Sequence, residues 1–161
     1  MLFFIDIASR SVHIAGVTPH PDNLWMTQIA RNLIDAEDGF LRARYLILDR
    51  DTKFSAEFRN ALDRERIHLI RLPPRSPILN AFAERFVRSI KSECLNRMIF
   101  FGPDSLRHAI SQFMAHYHAE RNHQGLENQL LRPHPIIAPS QSVHRRQRLG
   151  GMLNYYHRVA A

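Results

Sequence analysis

YLILDRDTKFSAEF, residues 45–58, and PPRSPILNAFAERFVRSIKSE, residues 73–93, carry the pattern on which the fold turns. The apolar run Tyr45 to Leu48 has strand character and ends on a carboxylate, Asp49. Ser55 is a plausible N-cap for a helix that turns Phe58, Leu62 and Ala61 inward and Glu57, Arg59, Asp63 and Arg64 outward. Ile67 to Ile70 reads as a second short strand. Pro73, Pro74 and Pro77 then rule out continuous helix through Arg71 to Leu79 and make that segment a loop. The next helix is expected from about Asn80 to Arg97, with Ala83, Val87, Ile90 and Cys94 as its apolar stripe and Glu84, Arg88 and Lys91 as a neighbouring polar one. Side-by-side strands with that helix across their ends would turn Asp49 and Glu84 toward one volume, a geometry that two hard divalent cations can use.

Outward from this centre, LFFIDIA at 2–8 and SVHIAGVT at 11–18 read as two adjacent strands, expected to form a hairpin around Ser9 and Arg10. A helix follows to about Asp38, started by Pro21 and Asp22, ended by Gly39, and lined by Trp25, Met26, Ile29, Ala30 and Leu33. Beyond the second strand and third helix, another helix from Asp104 to Glu120 places Leu106, Ile110, Phe113 and Tyr117 on one side. The tail holds Pro133, Pro135 and Pro139, then the basic cluster His144, Arg145, Arg146 and Arg148, and an aromatic end at Tyr155 and Tyr156. Strands alternating with helices make this an α/β chain with helices covering a mixed sheet. Sites in such sheets collect beyond strand carboxyl ends, where Asp49 lies.

The chain has 161 residues and 45% hydrophobic content, enough for one globular core. Lys and Arg number 22 against 15 Asp and Glu, giving a formal charge of +7. That excess favours a polyanionic partner, nucleic acid first, over simple solubility charge. The single cysteine, Cys94, excludes an intrachain disulfide and reads as a small buried hydrophobe. No apolar run approaches the length of a membrane span and no signal pattern opens the sequence, so a cytoplasmic protein is expected. His116, His118 and His123 lack cysteine partners and fit no zinc spacing well.

Four strings in order, IDIASRSVHIAGVT at 5–18, LDRDTKFSAEF at 48–58, PRSPILNAFAERFVRSIKSECL at 74–95 and HYHAERNHQGL at 116–126, resemble the integrase core of bacterial insertion-sequence transposases, relatives of retroviral integrases. The resemblance runs from Met1 to about Pro135, and RRQRLGG at 145–151 is similar to the ending of some members. It implies a ribonuclease-H-like mixed sheet flanked by helices, with residues 1–135 as a partial catalytic core and 136–161 as a basic tail. It also implies two Mg2+ or Mn2+ ions held by two Asp and one Glu, activating water or a DNA 3′ hydroxyl for attack on a phosphodiester. Asp49 matches the second aspartate and Glu84 the glutamate. Arg85, Arg88 and Lys91 are the candidate DNA contacts, although Arg88 and Lys91 read equally well as solvated charges.

The first family aspartate lies on a strand upstream of the segment that IDIASR matches, so that strand is expected to be missing and the two-ion site incomplete. Asp6 aligns with the next strand. Two outcomes are expected: a sheet with a gap, or movement of the Phe3 to Ala8 strand into the vacancy, which would carry Asp6 toward Asp49. The function implied is DNA integration by metal-dependent strand transfer, impaired by the missing aspartate. The alternative is a non-catalytic nucleic-acid-binding remnant. DNA is the expected partner, a homo-oligomer is compatible with the pattern, and sequence-specific recognition is doubtful without an upstream helix-turn-helix.

Overall fold

A computed structural model describes residues 1–35, 37, 39–41, 44–49, 51–73, 80–133 and 142–158. The expected helix end at Asp38, the loop prolines Pro74 and Pro77, and Pro135 and Pro139 of the tail lie outside the described residues. The chain divides into two units, one comprising Met1–Ile5 and Val12–Phe82, the other Asp6–Ser11 and Ala83–Ala161.

In the first unit, β1 (Leu2–Ile5) pairs antiparallel with β2 (Val12–Gly16), and β3 (Tyr45–Leu48) pairs parallel with β4 (His68–Arg71). Between them come α1 (Asn23–Ile34) and α2 (Ala56–Arg64). Each helix starts where a short polar side chain can satisfy an otherwise orphaned amide. Asp22 accepts from the amide of Trp25 at 2.8 Å, and Ser55 from that of Phe58 at 3.3 Å. Capping explains why α1 begins as expected, but it ends at Ile34, short of the anticipated end. Gly39 closes the following turn, its amide donating to the carbonyl of Asp35 at 3.0 Å.

Alternation on the strands and the helical spacing of apolar residues converge on one core. Leu2 and Phe4 from β1 meet Met26, Ile29, Ala30 and Leu33 from α1, Leu48 from β3, and Phe58 and Leu62 from α2. Burying each large side chain contributes about 1.5–3 kcal/mol against the entropy of ordering the chain. Trp25 is only partly buried at the edge of this cluster. Its indole crowds Gly16, where a Cβ would stand 2.6 Å from Cζ2, so β2 and α1 approach as closely as they do because that position has no side chain.

The strands form two-stranded sheets, and among the described residues no ladder joins β1 to β3. The mixed α/β character holds, but the continuous sheet implied by the resemblance is not assembled from these strands. Nor does β1 enter the place beside β3: it stops at Ile5 and turns back into β2.

In the second unit, α3 (Ala81–Glu93, whose first two residues fall in the first unit) and α4 (Pro103–Ala119) are joined through a 3-10 turn at Leu95–Arg97. The inward row of α3 meets the expectation in part. Ile90 and Cys94 are buried as expected, but Phe86 joins them at a spacing of four, while Ala83 and Val87 are half-buried flanks. Phe86 sets this register, meeting Tyr117 edge-on at 5.3 Å and Phe113 at 6.4 Å between ring centroids. Its bulk outweighs the small residues of the neighbouring row. After α4, the basic tail forms a hairpin, β5 (Val143–Arg148) antiparallel to β6 (Leu153–Arg158).

Candidate nucleic-acid interface and acidic residues

Asp49 immediately follows β3, as the apolar run predicts, and is exposed. Its Oδ1 accepts the amide of Asp51 at 3.1 Å. Asp51 repeats the device, accepting the amide of Lys53 at 3.0 Å and pairing with the Lys53 ammonium. That side-chain hydrogen bond from Lys53, helped by the amide bond, holds the Asp51 carboxyl below the ordinary value. Two successive side-chain turns thus carry the backbone from the strand end toward buried Phe54 and the cap at Ser55. Asp51 serves this turn, while one oxygen of Asp49 has no hydrogen bond among the described residues.

Glu84 stands exposed in the first turn of α3, where the positive end of the helix dipole favours an anionic group. No ion pair joins it to Arg88 among the described residues. Arg88 and Lys91 follow at helical spacing and are exposed, so with Glu84 they share a face, and Arg85 lies beside it. Arg85 extends toward the turn after α4: a Cβ added to Gly125 would meet its Nη1 at 3.1 Å. Glu93, the acid at the far end of α3, is taken up by Arg121, whose Nε donates to both carboxylate oxygens at 3.2 and 3.1 Å and whose Nη2 donates to Oε1 at 2.7 Å. The solvent side of α3 therefore carries Arg85, Arg88 and Lys91 near Glu84, a carboxylate with no ion pair among the described residues.

Asp6 has a local task. Its Oδ1 accepts the amide and hydroxyl of Ser9 at 2.6 and 2.9 Å, and its amide donates to the Ser11 carbonyl at 2.9 Å. The Ser9 amide bond is the chief reason its carboxyl is held below the ordinary value. Asp6 therefore builds the turn between β1 and β2.

The histidines of the HYHAERNH string point into packing. His116 Nδ1 lies 3.2 Å from Glu120 Oε2, and His123 Nε2 lies 2.8 Å from the Tyr117 carbonyl. His118 is buried, and burial, reinforced by the nearby Arg132 and His123, pushes its pKa down to about 4. Sequence reasoning missed Glu120, whose side chain is only 1% exposed. Arg148 grips it from β5, Nε donating to Oε2 at 2.8 Å and Nη2 to Oε1 at 2.7 Å, and Arg146 adds a bond of 3.3 Å. The basic cluster in the tail was the available signal, since cations on a strand invite a buried acid, but nothing along the chain named which acid.

Carboxylates such as Asp49 and Glu84 are the hard oxygen donors that magnesium or manganese prefers. Among the described residues, however, no group of three or more His, Cys, Asp or Glu stands together as a metal site. No helix of the described residues is long and apolar enough to cross a membrane.

Comparison with known proteins finds that residues 65–130 match the family described as integrase core domain. No curated protein and no solved structure matches significantly. The matched span contains Glu84, Arg85, Arg88, Lys91 and the histidine string, whereas Asp49 precedes it. Over residues 65–130, then, this chain carries an integrase-like core domain.

Proposed function

We propose that the chain acts on DNA in transposition, through phosphodiester strand transfer, with Asp49 and Glu84 as its metal-binding carboxylates in a ribonuclease-H-like arrangement. The observation that carries the reading is the integrase core match over 65–130, inside which Glu84 opens a helix whose outer side holds Arg85, Arg88 and Lys91. Those cations suit a phosphate backbone, fixing it without reading sequence. A bound Mg2+ or Mn2+ would supply Lewis acidity at a phosphodiester oxygen. This chain's part is to offer exposed carboxylates at a strand end and a helix start and to hold the polyanion by charge. Asp6, occupied by Ser9, is not assigned a metal role.

The test is nicking of supercoiled plasmid in magnesium or manganese. Nicking by the wild type that is abolished in Asp49→Asn and in Glu84→Gln, each still folded by circular dichroism, is the expected result. A second reading, non-catalytic nucleic-acid binding, is favoured by Arg85, Arg88 and Lys91, which need no metal to hold phosphate. Salt-sensitive DNA binding with no nicking at any metal concentration would select it and overturn the catalytic reading.

A further inference from the structure

The β5–β6 hairpin lies beyond the span that matches the integrase core, and its two faces differ in kind. Side chains alternate across an antiparallel ribbon, and cross-strand partners share a face. One face carries Arg146 and Arg148 with their partners Tyr155 and Leu153. Leu153 is buried and both arginines bind Glu120 of the α4 end, so this face is the inner one. The other face carries Val143, Arg145 and Gln147 opposite Arg158, Tyr156 and Asn154, and all six are exposed.

Charge on this ribbon has one sign. No Asp or Glu occurs after Glu127; Arg146 and Arg148 bind Glu120 from the inner face, and Arg145 and Arg158 are exposed on the outer one. Tyr156, 62% exposed, lies opposite Arg145 with Arg158 two residues further along β6. Gln147 and Asn154 are cross-strand partners nearer the turn, where the Asn154 side-chain amide donates to the Gly151 carbonyl at 2.8 Å.

We propose that the outer face of this hairpin is a second DNA-docking surface, with Arg145 and Arg158 on duplex phosphates and Tyr156 and Gln147 toward a groove. A two-stranded ribbon has the width that the major groove admits, and arginine and amide side chains are the usual donors there. The grip on Glu120 orders the ribbon before DNA arrives, which lowers the entropic cost of binding. The choice of nucleic acid over an acidic protein rests on the DNA-directed reading above, but the surface is distinct from α3 and is tested separately.

The experiment measures fluorescence anisotropy of a labelled random-sequence duplex with the full chain across a salt series. Arg145→Gln/Arg158→Gln is expected to weaken binding about tenfold and flatten the log K against log salt slope by nearly 2, roughly 0.9 for each lost phosphate contact. Arg145→Lys/Arg158→Lys should retain most of the slope, which separates charge from folding. Tyr156→Ala should weaken binding with the slope unchanged. Equal affinity and slope for wild type and the Gln variant would overturn the inference, as would wild type that fails to bind duplex or is displaced as readily by polyglutamate. Loss of binding only in Arg88→Gln/Lys91→Gln would also overturn it, yet leave the integrase reading standing. Loss of metal-dependent nicking in Asp49→Asn with hairpin-dependent binding intact would sustain both.

Discussion

Glu120 is the residue on which the second unit's charge balance turns. Burial would raise its pKa, but hydrogen bonds from Arg148, His116 and Arg146 and the charge of Arg148 overcome that and bring it down to about 2. A carboxyl depressed from 4.5 contributes stability that is complete above the ordinary value and is lost as pH falls toward 2. Glu120→Gln should remove that acid limb and destabilise the unit by about 3 kcal/mol at neutral pH, since it leaves Arg148 partly buried without its anion. Urea midpoints of the two proteins at pH 7 and pH 3 check both statements; equal midpoints at pH 7 would refute the assignment. The lesson for reading sequence is local too. The placement of Asp49 after a strand and of Glu84 in a helix's first turn was legible because periodicity marks both boundaries. Glu120 was not, because the two arginines that hold it lie more than twenty residues away and only folding chooses them.

At the scale of elements, the packing of α3 on α4 depends on Phe86, fully buried and in contact with two aromatic rings. Phe86→Ala should cost about 3–5 kcal/mol, whereas Val87→Ala on the half-buried flank should cost less than half of that. Equilibrium denaturation of both variants measures the difference, and equal losses would show that the inward row is the one centred on Val87. Helix existence and start points were readable from apolar spacing and from Asp22 and Ser55, since capping is chemistry between near neighbours. The register of α3 was not, because two adjacent rows were both apolar and the choice fell to tertiary contact with Phe113 and Tyr117. The hairpin at 143–158 also escaped notice: its alternation is of charge and aromatic residues, and apolar periodicity does not register it.

Across the whole molecule, a gap in the sheet was one of the two expected outcomes, and among the described residues no ladder joins β1 to β3. Each two-stranded ladder forms where residues close in sequence or joined by one helix can meet, and the described strands supply no element to bridge β1 and β3. Acid response should also differ between the two units. His118, in the second, is held neutral by burial, with its pKa pushed from 6.5 to about 4. A histidine whose folded value is depressed takes up more protons when unfolded, so stability declines as pH falls below 6.5 and levels off below about 4. His118→Gln should flatten that part of the curve of unfolding free energy against pH; an unchanged curve would show that His118 is solvated.

Cys94 gives this molecule a reporter of its own motion. Its sulfur is fully buried between α3 and α4, the thiol donating toward the Ala109 carbonyl at 3.8 Å, and burial raises its pKa. An aromatic disulfide reagent can reach it only when the two helices part, so the rate of colour development, divided by that of a free thiol, counts how often they do. As the sequence has one cysteine, that clock runs without any engineered label.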